Sequence, residues 1–376
     1  MIEELHPQPG PATVRTAEGS AMQRALDLAA TGAFHRRGGN PRVGCVILDA
    51  TGAVVGQGHH RGAGTPHAEV AALAVAGPAA RGGTAVVTLE PCAHQGRTGP
   101  CADALIEAGI ARVIFAQPDP NPLAAGGAAR LRAAGVTVIG NVGADRAIMI
   151  NSDWTFAQQH RRPWVRLKIA STLDGRVAAA DGSSQWITST AARADGHLLR
   201  ARSDAVLAGT GTVLADNPRL TARTVPDSAD QQPDQPLRVV FGTTEIPADA
   251  AVLDDSAETA LLRTRSAPVA LRTLRERGVS SVLIEGGPGV AATFLEAGLV
   301  DELISYIAPV LLGAGPAAVG DLGIWRIDDA LRGEITDITS IGTGTERCAR
   351  ITTRLRTAAP TPDPQHPHSP HHEGDH

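Results

Sequence analysis

His67, Glu69, Cys92 and Cys101 are the residues of this chain whose types and spacing could do chemistry. One imidazole and two thiolates are three ligands for zinc. Three protein ligands leave a fourth position for water, the pattern of a catalytic rather than a structural metal. Zinc lowers the pKa of such a water to about 7, so a hydroxide nucleophile exists at neutral pH. Glu69 is not a ligand in this reading. It stands beside the metal to carry protons, as the order H-x-E then P-C requires for hydrolytic removal of an amine.

The two cysteines enclose residues 93–100, a longer separation than the common C-x-x-C form. That stretch carries His94 and Arg97, polar groups that the ligands themselves would bring beside the metal. Cys101 reads as the first residue of a helix running to Ala108, where the helix dipole favours a thiolate.

Strand-to-helix junctions must bring these ligands together. Val43–Leu48 reads as a strand, Asp49–Gly52 as a hairpin turn and Val54–Gly56 as its return. His67 opens a helix to Ala76, and the strand Thr84–Leu89 delivers Glu90-Pro91-Cys92. Helices over Met22–Ala30 and Ala124–Ala134 and strands over Ala111–Ala116 and Val136–Ile139 complete an alternating α/β pattern. A helix over Ala144–Gln159 leads out of it. A second α/β pattern begins at Trp164. Its strands are Val165–Ala170 (with Lys168 inside), Ala205–Ala208, Leu237–Phe241, Ser281–Ile284 and Glu302–Ala308. Its helices are Thr190–Ala201, Ala270–Arg277 and Val290–Ala297, and residues 226–236 form a polar linker.

A chain of 376 residues implies two or three domains. The expected division is a flexible leader at 1–20, an α/β domain at 21–145, a connecting helix at 146–162, a second α/β domain at 163–356 and a disordered His- and Pro-rich tail at 357–376. The net charge of −5 offers no basic patch, which argues against a nucleic-acid partner. No apolar run reaches the roughly 20 residues that span a bilayer. The N-terminus lacks the basic and apolar regions of a signal peptide, so the expected compartment is the cytoplasm. Cys45 reads as a small core residue, and Cys348 has no evident partner.

Several stretches taken together resemble one family. Asn40-Pro-Arg-Val-Gly-Cys-Val-Ile47, Gly58-His-His60, Pro66-His-Ala-Glu69, Thr88-Leu-Glu-Pro-Cys92-Ala-His94 and Cys101 look like the deaminase domain of the bifunctional deaminase/reductase family of riboflavin biosynthesis. Leu167-Lys168-Ile-Ala170-Ser-Thr-Leu-Asp174-Gly175, Ser184-Gln-Trp186, Gly211-Thr212, Asp216-Asn-Pro-Arg-Leu220-Thr-Ala-Arg223 and Glu285-Gly-Gly-Pro-Gly289 resemble its reductase domain. The resemblance covers residues 21 to 355. It implies a cytidine-deaminase-like three-layer domain followed by a dihydrofolate-reductase-like domain, in a homo-oligomer held through the latter. It implies deamination of a 2,5-diamino-6-ribosylamino-pyrimidinone 5′-phosphate, then reduction of the ribosyl group to ribityl, with one zinc per chain and NADPH.

Residue by residue, the resemblance makes Glu69 and Lys168 catalytic and His67, Cys92 and Cys101 the zinc ligands. It places Ala170, Trp186, Thr212, Asp216, Thr243, Gly286, Gly287, Pro288, Gly289, Val290, Ala291, Ala292 and Thr293 on the cofactor. It places Asn40, His60, His94, Arg97, Ser184, Arg200, Leu220, Arg223 and Glu285 on the substrates. Glycines after a strand and before a helix let backbone approach a pyrophosphate, and guanidinium groups suit a sugar phosphate. Lys168, in an apolar strand, would need a nearby anion if buried. Taken alone, His60 fits a surface loop, Trp186 a core position and Arg200 a solvated helix face. Phe241-Gly242 and Arg36-Arg37-Gly38-Gly39 depart from the family's usual pattern. Three rival readings make distinct predictions. A reductase half without chemistry would fail to bind NADPH, a nucleic-acid deaminase would bind RNA or DNA, and a zinc scaffold would show a fourth protein ligand.

Overall fold

The computed structural model describes residues 13–31, 40–62, 64–94, 99–223 and 235–355. Expectations for residues 1–12, for 36–39, for Arg97, for most of the 226–236 linker and for the tail from 356 on fall outside the described residues. The chain groups into two compact units, Met1–Val165 with Arg193–Glu285, and Arg166–Ala192 with Gly286–His376. Among the described residues no helix is long and apolar enough to cross a membrane.

The first part of the first unit is a five-stranded sheet. Its strands are β1 (Gly44–Leu48), β2 (Val54–His59), β3 (Thr84–Leu89), β4 (Arg112–Gln117) and β5 (Thr137–Ile139), in the order β2-β1-β3-β4-β5. β1 runs antiparallel to β2 and β3, while β3, β4 and β5 run parallel. Alternate residues of β1 enter different cores. Val46 and Leu48 pack with Met22, Ala25 and Leu26 of α1 (Thr16–Thr31) and Ala147 of α5 (Ala144–Ile150). Cys45 and Ile47 pack with Ala68 and Ala72 of α2 (Ala68–Ala76), Leu105 of α3 (Cys101–Glu107) and Leu131 of α4 (Gly127–Ala133). This gives helices on both faces of the sheet, and it explains why β3 reads as an unbroken buried run.

Two glycines set the distance between α2 and the sheet. A Cβ on Gly56 would sit 2.4 Å from the Ala72 carbonyl oxygen, and one on Gly58 would sit 2.7 Å from the Ala68 carbonyl oxygen. The helix backbone therefore lies directly on β2, with its N-terminus at His67 held in place.

The rest of this unit carries a parallel set of strands, β7 (Ala205–Gly209), β8 (Leu237–Phe241), β9 (Thr259–Leu262) and β10 (Ser281–Ile284), paired β10-β7-β8-β9. Their helices are α7 (Thr190–Ala201), α8 (Thr210–Asp216) and α9 (Ala267–Glu276), the last capped by Ser266 onto the Val269 amide. The second unit holds most of β6 (Trp164–Thr172), with β11 (Glu302–Ala308), β12 (Gly333–Ile341), β13 (Cys348–Leu355) and α10 (Pro288–Glu296). β6 pairs parallel with β11, β11 antiparallel with β13, and β13 antiparallel with β12.

Three expectations differ from the structure. Helix α1 begins at Thr16, inside the expected leader, because Glu18 is buried and paired with Arg112 at 2.7 Å. The single helix expected over 144–159 is two, α5 and α6 (Ser152–His160), broken at Asn151. The Asn151 amide instead pairs with the Arg42 backbone, accepting from its N–H and donating to its C=O, each at 2.8 Å. Elements α8, β9, β12 and β13 were not expected.

Candidate active sites

His67 is the N-cap residue of α2, Cys92 follows β3, and Cys101 opens α3. The His67 Nδ1 lies 3.1 Å from the Cys101 Sγ and 3.7 Å from the Cys92 Sγ. All three donor atoms lie within 4.8 Å of one another, and among the described residues the cluster has no fourth member. Tetrahedral zinc with bonds of about 2.3 Å to sulfur and about 2.0 Å to nitrogen sets its donors roughly 3.5–3.8 Å apart, so donor set and spacing both fit.

The hydrogen bonds already favour a thiolate. The Cys101 thiol and its backbone N–H, at 3.4 Å, both donate to the Cys92 sulfur and pull the Cys92 pKa down to about 4. The same hydrogen bond and burial push Cys101 up. Glu69 points into this cluster and is 5% exposed. Burial, partly offset by its own backbone N–H and by His67, raises its pKa to about 7. A carboxyl group poised there takes up and gives back a proton near neutral pH.

His60 is no surface-loop histidine. It is buried, its Nδ1 lies 3.2 Å from the Pro66 carbonyl oxygen, and its ring meets His67 edge-on at 5.4 Å. Asn40 is half-buried, two residues before the Arg42 backbone that Asn151 clamps. His94 is exposed. Asp119, which sequence reasoning did not single out, is the further titratable group here. Burial, reinforced by Glu90 and Cys92, raises its pKa to about 6, and His94 acts against that. The signal for it was positional: Asp119-Pro-Asn-Pro follows β4 as the Cys92 loop follows the neighbouring β3.

In the second half of the chain, residues of the first unit are considered first. The Arg200 fork closes on Glu285, Nε to Oε1 at 2.5 Å and Nη2 to Oε2 at 3.0 Å. The bidentate face expected to bind a phosphate is therefore occupied by Glu285, and Arg200 is a half-buried ion pair rather than a solvated charge. Leu220 is 2% exposed with φ 53°, so it can offer a ligand only its backbone. Arg223, Asp216 and Thr243 are exposed, and Thr212 is half-buried. Gly242 has φ 136°, and a Cβ there would lie 2.6 Å from the Thr210 hydroxyl oxygen. That local geometry accounts for glycine where the family pattern has a larger residue.

In the second unit, Lys168 and Ala170 share the half-buried face of β6, while Leu167 and Ile169 face the core. Lys168 is thus half-buried, and its Nζ lies 5.7 Å from the Tyr306 ring centre. Ser184 is half-buried. Trp186 is 68% exposed, which removes the core reading. Gly286 and Gly287 precede α10, with Gly287 as N-cap, Pro288 in the first turn and no side-chain cap. Such a terminus suits an anion. Gly289 is exposed and Val290 half-buried, while Ala291 and Ala292 are buried and present only backbone. The Thr293 hydroxyl donates to the Gly289 carbonyl at 2.9 Å. Asp174 anchors a neighbouring loop. It accepts from Thr172 Oγ1 at 2.6 Å and from the Gly313 amide at 2.6 Å, and these bonds hold its pKa near 2.

Comparison with known proteins matches each half of the chain to a family model. The cytidine and deoxycytidylate deaminase zinc-binding region matches residues 16–117, and the RibD C-terminal domain matches residues 163–346. A zinc-type deaminase domain followed by a reductase domain defines a bifunctional deaminase/reductase. The riboflavin biosynthesis protein RibD of Mycobacterium tuberculosis is 47% identical over 86% of this chain and 95% of its own length. That of Escherichia coli is 42% identical over 85% and 96%. Acinetobacter baumannii RibD superposes with a TM-score of 0.80 at 38% identity, covering 90% of this chain and 99% of that one. A Thermotoga maritima deaminase/reductase superposes at 0.76 with 31% identity over 90% and 99%. The chain belongs to the RibD family, the bifunctional deaminase/reductases of riboflavin biosynthesis. Both domains are present, so the reading of a deaminase alone is set aside.

Proposed function

We propose that this chain deaminates 2,5-diamino-6-ribosylamino-4(3H)-pyrimidinone 5′-phosphate and then reduces the ribosyl group of the product to ribityl with NADPH. The observation that carries the reading is the convergence of the His67, Cys92 and Cys101 donor atoms beside the buried Glu69. The Thermotoga maritima neighbour is described as a diaminohydroxyphosphoribosylaminopyrimidine deaminase and 5-amino-6-(5-phosphoribosylamino)uracil reductase.

One zinc per chain, held by His67, Cys92 and Cys101, supplies Lewis acidity that makes a water nucleophilic at neutral pH. Glu69 takes a proton on its carboxylate and returns one to the departing amine. Burial keeps that carboxyl away from bulk water, so its proton goes to the substrate. Asn40 and His60 orient the pyrimidine. His94 and Arg97, from the stretch between the cysteines, hold the substrate's polar edge or its phosphate, and His94 acts electrostatically on Asp119.

In the reductase half NADPH supplies the hydride. The stretch from Gly286 to Thr293, leading into and opening α10, holds its pyrophosphate, with Pro288 contributing no N–H. Ala170, Trp186, Thr212, Asp216 and Thr243 line the cofactor. Lys168, on the open face of β6, gives a proton to the ribose oxygen. Ser184, Arg223 and the Leu220 backbone hold the substrate, and Glu285 keeps Arg200 aligned with two N–H groups to spare. The enzyme works in the cytoplasm as a homo-oligomer through the reductase half. Supporting the last point, β12 is an edge strand on which Ile335 and Ile338 are exposed.

The test is NADPH oxidation by zinc-loaded protein on freshly made diaminopyrimidinone phosphate, with Glu69→Gln beside it. The wild type should release ammonia and consume NADPH. Glu69→Gln should lose roughly 10²–10⁴-fold in ammonia release, yet consume NADPH when given deaminated substrate. Ammonia without NADPH consumption on either substrate would remove the reductase assignment.

A further inference from the structure

Thr221 and Ala222 collect side-chain hydrogen bonds on their backbone from three residues. The His197 Nδ1 lies 3.2 Å from the Thr221 carbonyl oxygen, and Arg200 Nη1 donates to the same oxygen at 3.0 Å. Gln235 pairs with the next residue in both directions. The Ala222 N–H donates to its Oε1 at 2.9 Å, and its Nε2 donates to the Ala222 carbonyl at 3.0 Å. His197 and Arg200 stand three residues apart on α7, so they share a face. A carbonyl accepts only from an N–H, so Nδ1 carries the ring proton.

The segment they hold needs holding. Asn217 and Leu220 both adopt the left-handed region, with φ 42° and 53°, a conformation strained above all for the branched side chain of Leu220. Leu220 and Ala222 are 2% and 3% exposed, and the chain then surfaces at Arg223. The Arg223 charge is felt at His197, whose pKa is lowered by burial, by Arg200 and by Arg223, while Glu285 acts the other way. With the Arg200 fork closed on Glu285, the exposed guanidinium of this group is that of Arg223, and where its Cα stands decides where it can reach.

We propose that His197 and Gln235 are positioning residues of the reductase: they lock the Thr221–Ala222 backbone so that Arg223 meets the phosphate of the substrate. This rests on the reading of Arg223 as a substrate ligand. Neither residue touches the reacting atoms. Loosening either lets Arg223 sample more conformations, which weakens binding of the phosphate in ground state and transition state alike. Such a loss appears in KM rather than kcat.

The experiment is steady-state reductase kinetics on deaminated ribosyl phosphate and on its dephosphorylated counterpart, for Arg223→Ala, His197→Leu, His197→Asn and Gln235→Ala. Ammonia release by the same preparations reports folding of the deaminase half. Arg223→Ala, His197→Leu and Gln235→Ala should raise KM for the phosphorylated substrate roughly tenfold, the value of about one hydrogen bond. Their kcat and KM for NADPH should stay within about twofold, and KM for the dephosphorylated substrate should barely move. His197→Asn, whose amide N–H can replace Nδ1–H, should restore the wild-type value. The proposal is overturned if Arg223→Ala raises KM while His197→Leu and Gln235→Ala do not. It is equally overturned if His197→Leu lowers kcat and raises KM for NADPH, with no rescue by asparagine, which marks a general structural role. No effect from Arg223→Ala would show instead that the underlying reading of Arg223 is wrong, and the proposal would go with it.

Discussion

Carboxylates in this chain do different work according to what donates to them. Glu285 faces the Arg200 fork. Asp174 is half-buried and sits near pKa 2 on the strength of hydroxyl and amide donors. Asp204 has two backbone amides, Ser280 N at 2.8 Å and Ser281 N at 3.0 Å, yet burial wins and raises its pKa to about 6, with Asp153 adding to the rise. Unfolded, such a group titrates near about 3.9. A carboxyl whose folded pKa is raised binds its proton more tightly in the native state. Its stabilising contribution is therefore complete below the unfolded value and is lost as pH rises through the folded one. Asp204→Asn keeps an acceptor for both amides and removes the buried charge. It should melt above the wild type at about pH 8, and the gap should close as pH falls from about 6 to about 4. Thermal melts across that range check it; parallel curves would place the pH dependence on another group.

At the scale of elements, the deaminase site depends on how closely α2 lies on β2. A Cβ on Gly58 would stand 2.7 Å from the Ala68 carbonyl oxygen and 2.7 Å from the Ala72 amide nitrogen, both backbone atoms of α2. Gly58→Ala must then lift the N-terminal turn that carries His67 and Glu69. The expected outcome is an overpacking cost of about 1–3 kcal/mol in stability, with lower zinc occupancy after dialysis and a matching loss of ammonia release. Metal analysis beside a melt would separate this from simple unfolding. The same elements show what was legible. The metal ligands fall at the ends of α2, β3 and α3, and each of these has a strong local signal: an N-cap position, a buried apolar run, and a helix opening at Cys101. What was not legible depends on distant partners. The break at Asn151 exists because its amide binds Arg42, 109 residues away. Helix α8 has seven residues and one buried side chain, Val213, which leaves no period to read. Strand β12 is exposed along most of its length, so burial imposes no alternation on it. Arg200 was legible as a site residue, but its ion pair with Glu285, 85 residues on, was not.

For the molecule as a whole, the two chemistries draw on separate stretches of chain. The zinc-type ligands lie between His67 and Cys101, and the residues proposed for hydride transfer lie from Lys168 onward. Removing zinc with a chelator should therefore act on one activity only. Ammonia release should vanish and return when zinc is restored. NADPH consumption on deaminated substrate should stay within about twofold, because no reductase group is a ligand in the cluster. On the diaminopyrimidinone itself NADPH consumption should stop with ammonia release, since the first product feeds the second step. Zinc bound to the native state alone also stabilises it, by about 2.7 kcal/mol at a hundredfold excess over Kd. The chelated protein should thus melt lower, and Glu69→Gln, which keeps all three ligands, should lose as much on chelation as the wild type does. If chelation instead reduced reductase activity in proportion to zinc lost, the reductase residues would depend on the folded deaminase half, and the separation of the two activities argued from their ligand sets would be wrong.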